Sequence, residues 1–181
     1  MTIAIGIGDI TKIKSQCIVN AAKPSLRGGG GVDGAIHAAA GPKLLEYCEQ
    51  FEPINVGDVR ITPAFDLPAE WVIHTAGPIW DPHEIQKCEI KLAECYVKAS
   101  LAAYAYGAKS ISYPAISTGI YRFPIRDATQ IAMKALNTLR HLPLMIKLVC
   151  YDSEYYNIYI ETAMKLKINY YETDYESVDA D

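Results

Sequence analysis

The segment VNAAKPSLRGGGGVDGAIHAAAG, residues 19–41, joins an apolar run to a helix-like pattern through four consecutive glycines. The run SQCIVNAA, which overlaps its start, is typical of a strand covered on both faces and reaches its polar end near Asn20. After Gly34, apolar residues recur at spacings of three and four, which predicts a helix over residues 35–51. The glycine run therefore connects a strand to a helix N-terminus.

A glycine run between a strand and a helix can form a backbone binding site for a phosphate group. Glycines permit positive φ angles and let a ligand approach the backbone without meeting a Cβ atom. In front of a helix, their N–H groups and the positive helix end suit a phosphate group. No Gly-Lys-Ser/Thr follows the run as it would in a Walker loop, and an isolated glycine run without a companion loop is more typical of a plain strand-to-helix connection.

A second loop of small residues makes the phosphate interpretation stronger. The stretch PAISTGIYRFP, residues 114–124, places Ser117, Thr118 and Gly119 after a predicted strand and before a helix that starts near Arg126. Loops at the carboxyl ends of parallel strands meet at the edge of the sheet where α/β proteins bind ligands. The two loops together predict a clasp for a diphosphate, whereas either one alone could be an ordinary turn.

The remaining sequence alternates between short apolar runs typical of strands and amphipathic patterns typical of helices. This alternation predicts an α/β fold with a mainly parallel central sheet and helices on both faces, in one domain over residues 1–168. Residues 169–181 form an acidic, tyrosine-rich segment that we expect to be a tail with a loose end. Further strands are predicted at 3–10, 57–65, 71–80, 110–114 and 145–152, and further helices at 84–107, 126–142 and 153–167.

Composition and charge narrow the function classes. The net charge of −4 and the pI near 5.6 disfavour nucleic acid and anionic membranes as partners. The five cysteines form no CxxC pair, and the four histidines do not lie at zinc-like spacings from them, so no metal is expected. No run of about 20 apolar residues suggests a membrane span. We expect a reduced, cytoplasmic protein.

Several motifs in one order resemble the macrodomain family, and specifically its MacroD-type ADP-ribosyl hydrolases. They are GDIT at 8–11, IVNAA at 18–22, GGGGVDGAIHAAAG at 28–41, LPAEWVIHTAGPIW at 67–80, PAISTGIYRFP at 114–124 and LVCYD at 148–152. The resemblance implies a three-layer α/β/α macrodomain that holds ADP-ribose in a cleft and needs no cofactor. It covers nearly the whole chain up to about residue 168.

The resemblance also implies binding roles for matching residues. Asp9 would accept a hydrogen bond from the adenine amino group beside the amide of Ile10, although an Asp here could simply cap a turn. Asn20 would position the distal ribose, or else satisfy the backbone of the next turn. Tyr121 would cover the same ribose, although an aromatic residue there could belong to the core. The diphosphate would lie between Gly29, Gly30, Gly31 and Val32 on one side and Ser117, Thr118, Gly119, Ile120 and Tyr121 on the other.

Asp33 is the main candidate for catalysis. It follows the glycine loop at a helix N-terminus, where a carboxylate can orient or activate a water molecule. The alternative is a helix-capping residue without catalytic duty. His37 lies one helical turn beyond and is expected to be structural or to support Asp33. His74 is expected to be a satisfied core or loop histidine.

Two positions depart from the MacroD pattern, and both are close to the proposed reaction centre. Lys23 replaces the second Asn of NAAN, a residue tied to catalysis, and we include it with Asp33 and Asn20 as a catalytic candidate. It could bond ribose hydroxyls, stabilise a leaving carboxylate, pair with Asp33, or point to solvent. Arg122 replaces a common Gly and could narrow the cleft or add a cation near the diphosphate.

Three functions are compatible with these residues. The favoured one is hydrolysis of ADP-ribose esters, either on Asp and Glu side chains of mono-ADP-ribosylated proteins or in O-acetyl-ADP-ribose. The second is a non-catalytic reader that binds ADP-ribose or an ADP-ribosylated protein. RNA binding is disfavoured because no basic patch interleaved with aromatic residues is visible.

Overall fold

The computed structural model describes residues 1–175. Strands and helices alternate through most of this range, as the sequence predicts. The strands are β1 (Thr2–Ile7), β2 (Cys17–Ala22), β3 (Val59–Pro63), β4 (Trp71–Ala76), β5 (Ser110–Tyr113), β6 (Met145–Cys150) and β7 (Tyr171–Asp174). The helices are α1 (Gly31–Ala40), α2 (Pro42–Cys48), α3 (Ile85–Ala105), α4 (Ile125–Thr138) and α5 (Ser153–Leu166).

Within the described residues the strands form one sheet in the order β3-β4-β2-β5-β6-β1-β7. Every pairing is parallel except β3 with β4, which is antiparallel. The apolar side chains form two clusters: α3, α4 and α5 contribute to one, and α1 and α2 to the other. Neighbouring residues of β2 point to opposite faces of the sheet, as the two-residue repeat of a strand requires: Val19 lies in the cluster with α3, α4 and α5, and Ile18 in the cluster with α1 and α2. The predicted three-layer α/β/α fold is confirmed.

The single helix predicted over residues 35–51 is wrong in its bounds. The structure has α1 starting earlier, at Gly31, and a break before α2. Gly41 takes a positive φ of 77° and ends α1, and Pro42 begins α2. Proline lacks an N–H group and disfavours helical geometry in the residue before it, so the periodic apolar pattern crosses two helices.

The chain beyond residue 168 also differs from the expected tail. Residues 171–174 form β7, which pairs in parallel with β1 at the edge of the sheet. Tyr175 is buried against Gly6 and Gly8, whose missing side chains leave room for it. The sheet therefore extends past the boundary predicted at 168, because the free edge of β1 and two glycines accept the segment. Residues 176–181, where the loose end was expected, lie outside the described residues.

Residues 1–175 contain neither a membrane-spanning helix nor a cluster of metal-ligating side chains. No helix in this range is long and apolar enough to cross a membrane. No group of three or more His, Cys, Asp or Glu side chains in the same range could hold a metal ion. The five cysteines are buried and free.

Candidate active site

The loops after β2, β4 and β5 line one cleft at the carboxyl ends of these strands. Since β2 pairs with both β4 and β5, the glycine loop and the Ser-Thr-Gly loop meet there, as the sequence predicts. The cleft is lined by Ala21, Ala22, Lys23, Gly30, Gly31, Val32, Asp33, Gly77, Ala115, Ile116, Ser117, Gly119, Ile120 and Tyr121. Two predicted residues outside this lining adjoin Asp33: Asn20 donates a hydrogen bond to it, and a Cβ atom on Gly29 would lie 3.0 Å from its Oδ2.

The glycine loop presents backbone to the cleft. Gly30 is the N-cap of α1 and supplies no side-chain cap, so the amides of the first turn are capped by no side chain. Gly28 and Gly31 have φ angles of 74° and 62°, which glycine adopts without strain. Gly34 allows the loop to pack closely on α1, because a Cβ atom there would lie 2.6 Å from the carbonyl oxygen of Gly29.

We expect Gly34→Ala to weaken the binding of ADP-ribose, the ligand that the sequence resemblance implies, by about tenfold, since the loop must shift and lose roughly one hydrogen bond. Isothermal titration calorimetry measures this affinity. Ala35→Ser is the matched control, because Ala35 is the next residue and is exposed. An unchanged affinity of Gly34→Ala would show that the close packing of this loop is not needed for binding.

The Ser-Thr-Gly loop is held by its own backbone. The N–H of Phe123 donates to the Ser117 carbonyl at 3.0 Å, and the N–H of Arg122 donates to the Gly119 carbonyl at 2.9 Å. Tyr96, buried under the sheet, accepts a hydrogen bond from the N–H of Ile116 at 3.3 Å. These bonds hold the loop opposite the glycine loop, where a Cβ atom on Gly30 would lie 3.3 Å from Cδ1 of Ile120.

Arg122, the second departure from the family pattern, lies in the left-handed region with a φ of 56°. This conformation is strained for a non-glycine residue, so we expect Arg122→Gly to raise the free energy of unfolding by about 1 kcal/mol. Urea denaturation measures the change. Arg122→Ala keeps a non-glycine residue at this φ, so its free energy of unfolding should rise little. An equal rise in both variants would mean that the arginine side chain, and not the φ angle, destabilises the parent.

Asp33 is almost fully buried at 3% exposure, although it lines the cleft. Its Oδ1 accepts a hydrogen bond from Asn20 Nδ2 at 2.8 Å and lies 3.6 Å from Nε2 of His37. Among residues 1–175, Oδ2 has no hydrogen-bond partner. Burial lowers the pKa of His37, an effect that the nearby carboxylate of Asp33 opposes. One carboxylate oxygen thus has a hydrogen-bond partner, and the other is buried without one among the described residues.

His74 lies directly behind Asn20 and is fully buried. Its Nδ1 is 3.1 Å from Asn20 Nδ2, and its Nε2 is 3.0 Å from Thr62 Oγ1. Burial, together with the neighbouring His37, lowers the pKa of His74 to about 3, so the ring is neutral at physiological pH. The expectation of a satisfied core histidine agrees with these contacts, but the sequence did not indicate that the histidine reaches Asn20.

Lys23 does not point away from the site. A Cβ atom built on Gly29 would lie 3.2 Å from Lys23 Nζ and 3.0 Å from Asp33 Oδ2, so both groups flank the same point. Among the described residues, Lys23 Nζ and the carboxylate of Asp33 are more than 4 Å apart, so they do not form an ion pair. Of the four alternatives, the ion pair with Asp33 is not formed; Lys23 is exposed, and its ammonium group lies at the cleft lining close to Asp33.

Asp9 follows β1, three strand spacings from β2, or about 14 Å along the sheet edge. Its Oδ1 accepts hydrogen bonds from the N–H and the hydroxyl of Thr11, and its Oδ2 lies 3.6 Å from Lys12 Nζ. Asp9 therefore caps a turn while remaining exposed, and Ile10 beside it is buried. The separation between Asp9 and Asp33 suits a long ligand.

Tyr151 is a candidate binding residue to which no sequence motif assigned a role. This residue follows β6 directly and is 89% exposed, beside the loop that carries Asp9. The N–H of Gly8 donates to the carbonyl of Cys150 at 3.1 Å, which ties the two loops together. A tyrosine immediately after an apolar strand was the available signal, and only the exposure of its ring shows that it can stack on a flat ligand.

Comparison with known proteins agrees with this geometry. A family profile described as Macro domain matches residues 19–132. The O-acetyl-ADP-ribose deacetylase of Escherichia fergusonii is 48% identical over 159 residues, which are 84% of this chain and 89% of the relative. A Macro domain-containing protein of Methanosarcina mazei is 45% identical over 150 residues, 81% of this chain and 80% of the relative.

Solved structures give the same result. A macrodomain of Oceanobacillus iheyensis with ADP superposes with a TM-score of 0.86 at 42% identity and covers 89% of both chains. A Trypanosoma brucei macrodomain in complex with ADP-ribose superposes with a TM-score of 0.82 at 36% identity, covering 88% of this chain and 68% of that one. With the fold, the two facing loops and the sequence match in agreement, this chain belongs to the macrodomain family.

Proposed function

We propose that this protein binds ADP-ribose in the cleft and hydrolyses its acyl esters, with O-acetyl-ADP-ribose as the substrate that the relatives favour. The observation that carries the proposal is Asp33: a nearly buried carboxylate whose Oδ2 lies unpartnered within residues 1–175 at the wall of a cleft between two phosphate-type loops. A reader module would need the loops but not this carboxylate.

Binding would extend along the sheet edge. The adenine would stack on Tyr151 and bond to Asp9 and the amide of Ile10, and the distal ribose would lie near Asn20 and Tyr121. The diphosphate would accept hydrogen bonds from backbone N–H groups, which explains why an acidic protein can hold an anion. These groups are Gly29, Gly30, Gly31 and Val32 in one loop and Ser117, Thr118, Gly119, Ile120 and Tyr121 in the other.

Catalysis would use Asp33 as the base. Oδ2 would take a proton from a water molecule as the water oxygen bonds to the acyl carbon of the ester. The tetrahedral intermediate then breaks its bond to the ribose oxygen, which takes back the proton from Asp33, and the acid and ADP-ribose are released with Asp33 ionised again. The ammonium group of Lys23 would stabilise the oxyanion on the acyl carbon. Asn20 would hold Asp33 in place for this step.

Mono-ADP-ribosylated Asp and Glu side chains are a second substrate candidate. They carry the same acyl ester, and Ile120, which is 72% exposed at the mouth of the cleft, could contact the protein that bears the modification. The cytoplasmic location and the lack of nucleic-acid binding stay predictions from the sequence.

The test combines calorimetry of ADP-ribose binding with time courses of release. Acetate is measured from O-acetyl-ADP-ribose, and ADP-ribose from a glutamate-linked, mono-ADP-ribosylated protein. Release of either product supports a hydrolase and identifies the substrate. Tight binding without release of either would support the reader instead, and no binding would contradict both proposals.

The proposed stacking on Tyr151 predicts that Tyr151→Ala weakens ADP-ribose binding by about tenfold, because a base on an aromatic ring gains roughly 1–3 kcal/mol. Tyr151→Phe keeps the ring and should bind like the parent. Ribose 5-phosphate lacks the base, so its affinity should be the same for all three proteins. Equal losses for both ligands would show that Tyr151 supports the fold rather than the adenine.

A further inference from the structure

We propose that His74 and Thr62, buried behind the cleft, are positioning residues that orient Asn20 and thereby select Oδ2 of Asp33 as the reactive oxygen. This inference rests on the proposed function. It concerns a chain of hydrogen bonds that starts on β3, crosses β4 and β2, and ends at the first turn of α1. Each of these hydrogen bonds has only one possible donor, and the assignment starts at Asp33 and proceeds to Thr62.

The first step is the orientation of the Asn20 side chain. Asn20 is fully buried, and its Nδ2 lies 2.8 Å from Asp33 Oδ1. If the carboxamide were rotated, its oxygen would face a carboxylate oxygen, which is repulsive. Nδ2 must therefore be the atom that faces Asp33, and it donates one of its two hydrogens there.

The second step is the tautomer of His74. The same Nδ2 is 3.1 Å from His74 Nδ1, and it can only donate. Nδ1 must therefore be unprotonated and accept the second hydrogen of Nδ2. A neutral imidazole carries one proton, so this proton is on Nε2. A histidine in the other tautomer would set two N–H groups against each other.

The third step closes the chain at Thr62. Nε2 of His74 donates to Thr62 Oγ1 at 3.0 Å, and the hydroxyl of Thr62 donates in turn to the carbonyl of Pro63 at 3.1 Å. The antiparallel pairing of β3 with β4 brings Thr62 close to His74, although His74 is directly opposite Arg60 in register. Thr62 is itself buried. The donor and the acceptor of every bond from Asp33 to the carbonyl of Pro63 are thus assigned consistently.

The consequence reaches the reaction centre. With both hydrogens of Asn20 Nδ2 assigned, Asp33 Oδ1 is held as an acceptor and the carboxylate cannot rotate freely. Oδ2 is left at the cleft wall beside Lys23. Fixing a catalytic group in the productive geometry is a large part of catalysis, because small displacements of reacting atoms lower the rate strongly.

The test compares three threonine variants by their kcat and KM for O-acetyl-ADP-ribose. Thr62→Val keeps the shape but leaves His74 Nε2–H with only the weak acceptor Cys48 Sγ at 3.9 Å, and we expect it to lower kcat by about tenfold with KM and the affinity for ADP-ribose unchanged. Thr62→Ser restores the hydroxyl and should restore kcat. Thr75→Val is the matched control: Thr75 is also buried on β4 and loses a bond to the Asp58 carbonyl, outside the chain, so its kcat should be parental.

Three outcomes would overturn the proposal: a parental kcat in Thr62→Val, an equal loss in Thr62→Ser, or an equal loss in Thr75→Val. A parent that hydrolyses nothing would contradict the proposed function instead. In that case nitrogen-15 NMR of the histidine rings decides, since it needs no activity. The proposal requires Nδ1 of His74 to be unprotonated and Nε2 protonated at neutral pH, and the opposite tautomer or a doubly protonated ring would overturn it.

Discussion

Asp33→Ala is expected to lower the rate of ester hydrolysis by about 10³-fold, the range that a positioned general base contributes. Its effect on the affinity for ADP-ribose should be no more than about threefold, because the base acts on the water in the transition state and hardly on the bound sugar. The carboxylate of Asp33 is only 3% exposed, and among the described residues its Oδ2 has no hydrogen-bond partner. Bulk solvent therefore does not compete with the reacting water molecule for a hydrogen bond to Oδ2. Rates of acetate release and calorimetry of binding measure the two quantities.

Asp33→Asn is the control that separates chemistry from packing. It keeps an oxygen that can accept the bond from Asn20, and it replaces the reactive oxygen by an amide that cannot take a proton. The same loss in both variants would show that the proton acceptor matters. Hydrolysis at the parental rate in either variant would remove Asp33 from the mechanism.

Lys23→Met is expected to produce the next largest effect, a fall in kcat of about 10²-fold, the amount that one oxyanion donor contributes. Methionine has a similar length and no charge, so the change removes the ammonium group that flanks the same point as Asp33 Oδ2. KM should change little, since the oxyanion exists only in the transition state. Steady-state kinetics on O-acetyl-ADP-ribose measure both constants.

Lys23→Asn, which restores the residue usual in MacroD proteins, is the companion variant. An amide can donate a hydrogen bond but brings no charge, so its kcat should lie between that of the parent and that of Lys23→Met. A faster rate in Lys23→Met than in the parent would give the opposite assignment. In that case the lysine restrains the carboxylate of Asp33 rather than stabilising the oxyanion.

The largest parts of the fold followed from local patterns. The alternation of strands and helices, the place of the glycine run before α1 and the companion loop after β5 were all predicted, because period, turn residues and helix caps act over a few neighbouring residues. The bounds of α1 and α2 failed at Gly41 and Pro42, where backbone geometry overrode a periodic pattern. The strand β7 was missed because four partly exposed residues show no strong period, and its partner β1 is distant in sequence.

The site divides in the same way. From the sequence alone came the family, the two loops and Asp33, since these depend on residue types in a fixed order. Only the tertiary structure decided which oxygen of Asp33 is free, that Lys23 turns toward it, that Tyr151 is exposed beside Asp9, and that His74 and Thr62 stand behind Asn20. These facts depend on side chains brought together across strands far apart in the chain, and hydrogen-bond direction is set by that packing rather than by any local pattern.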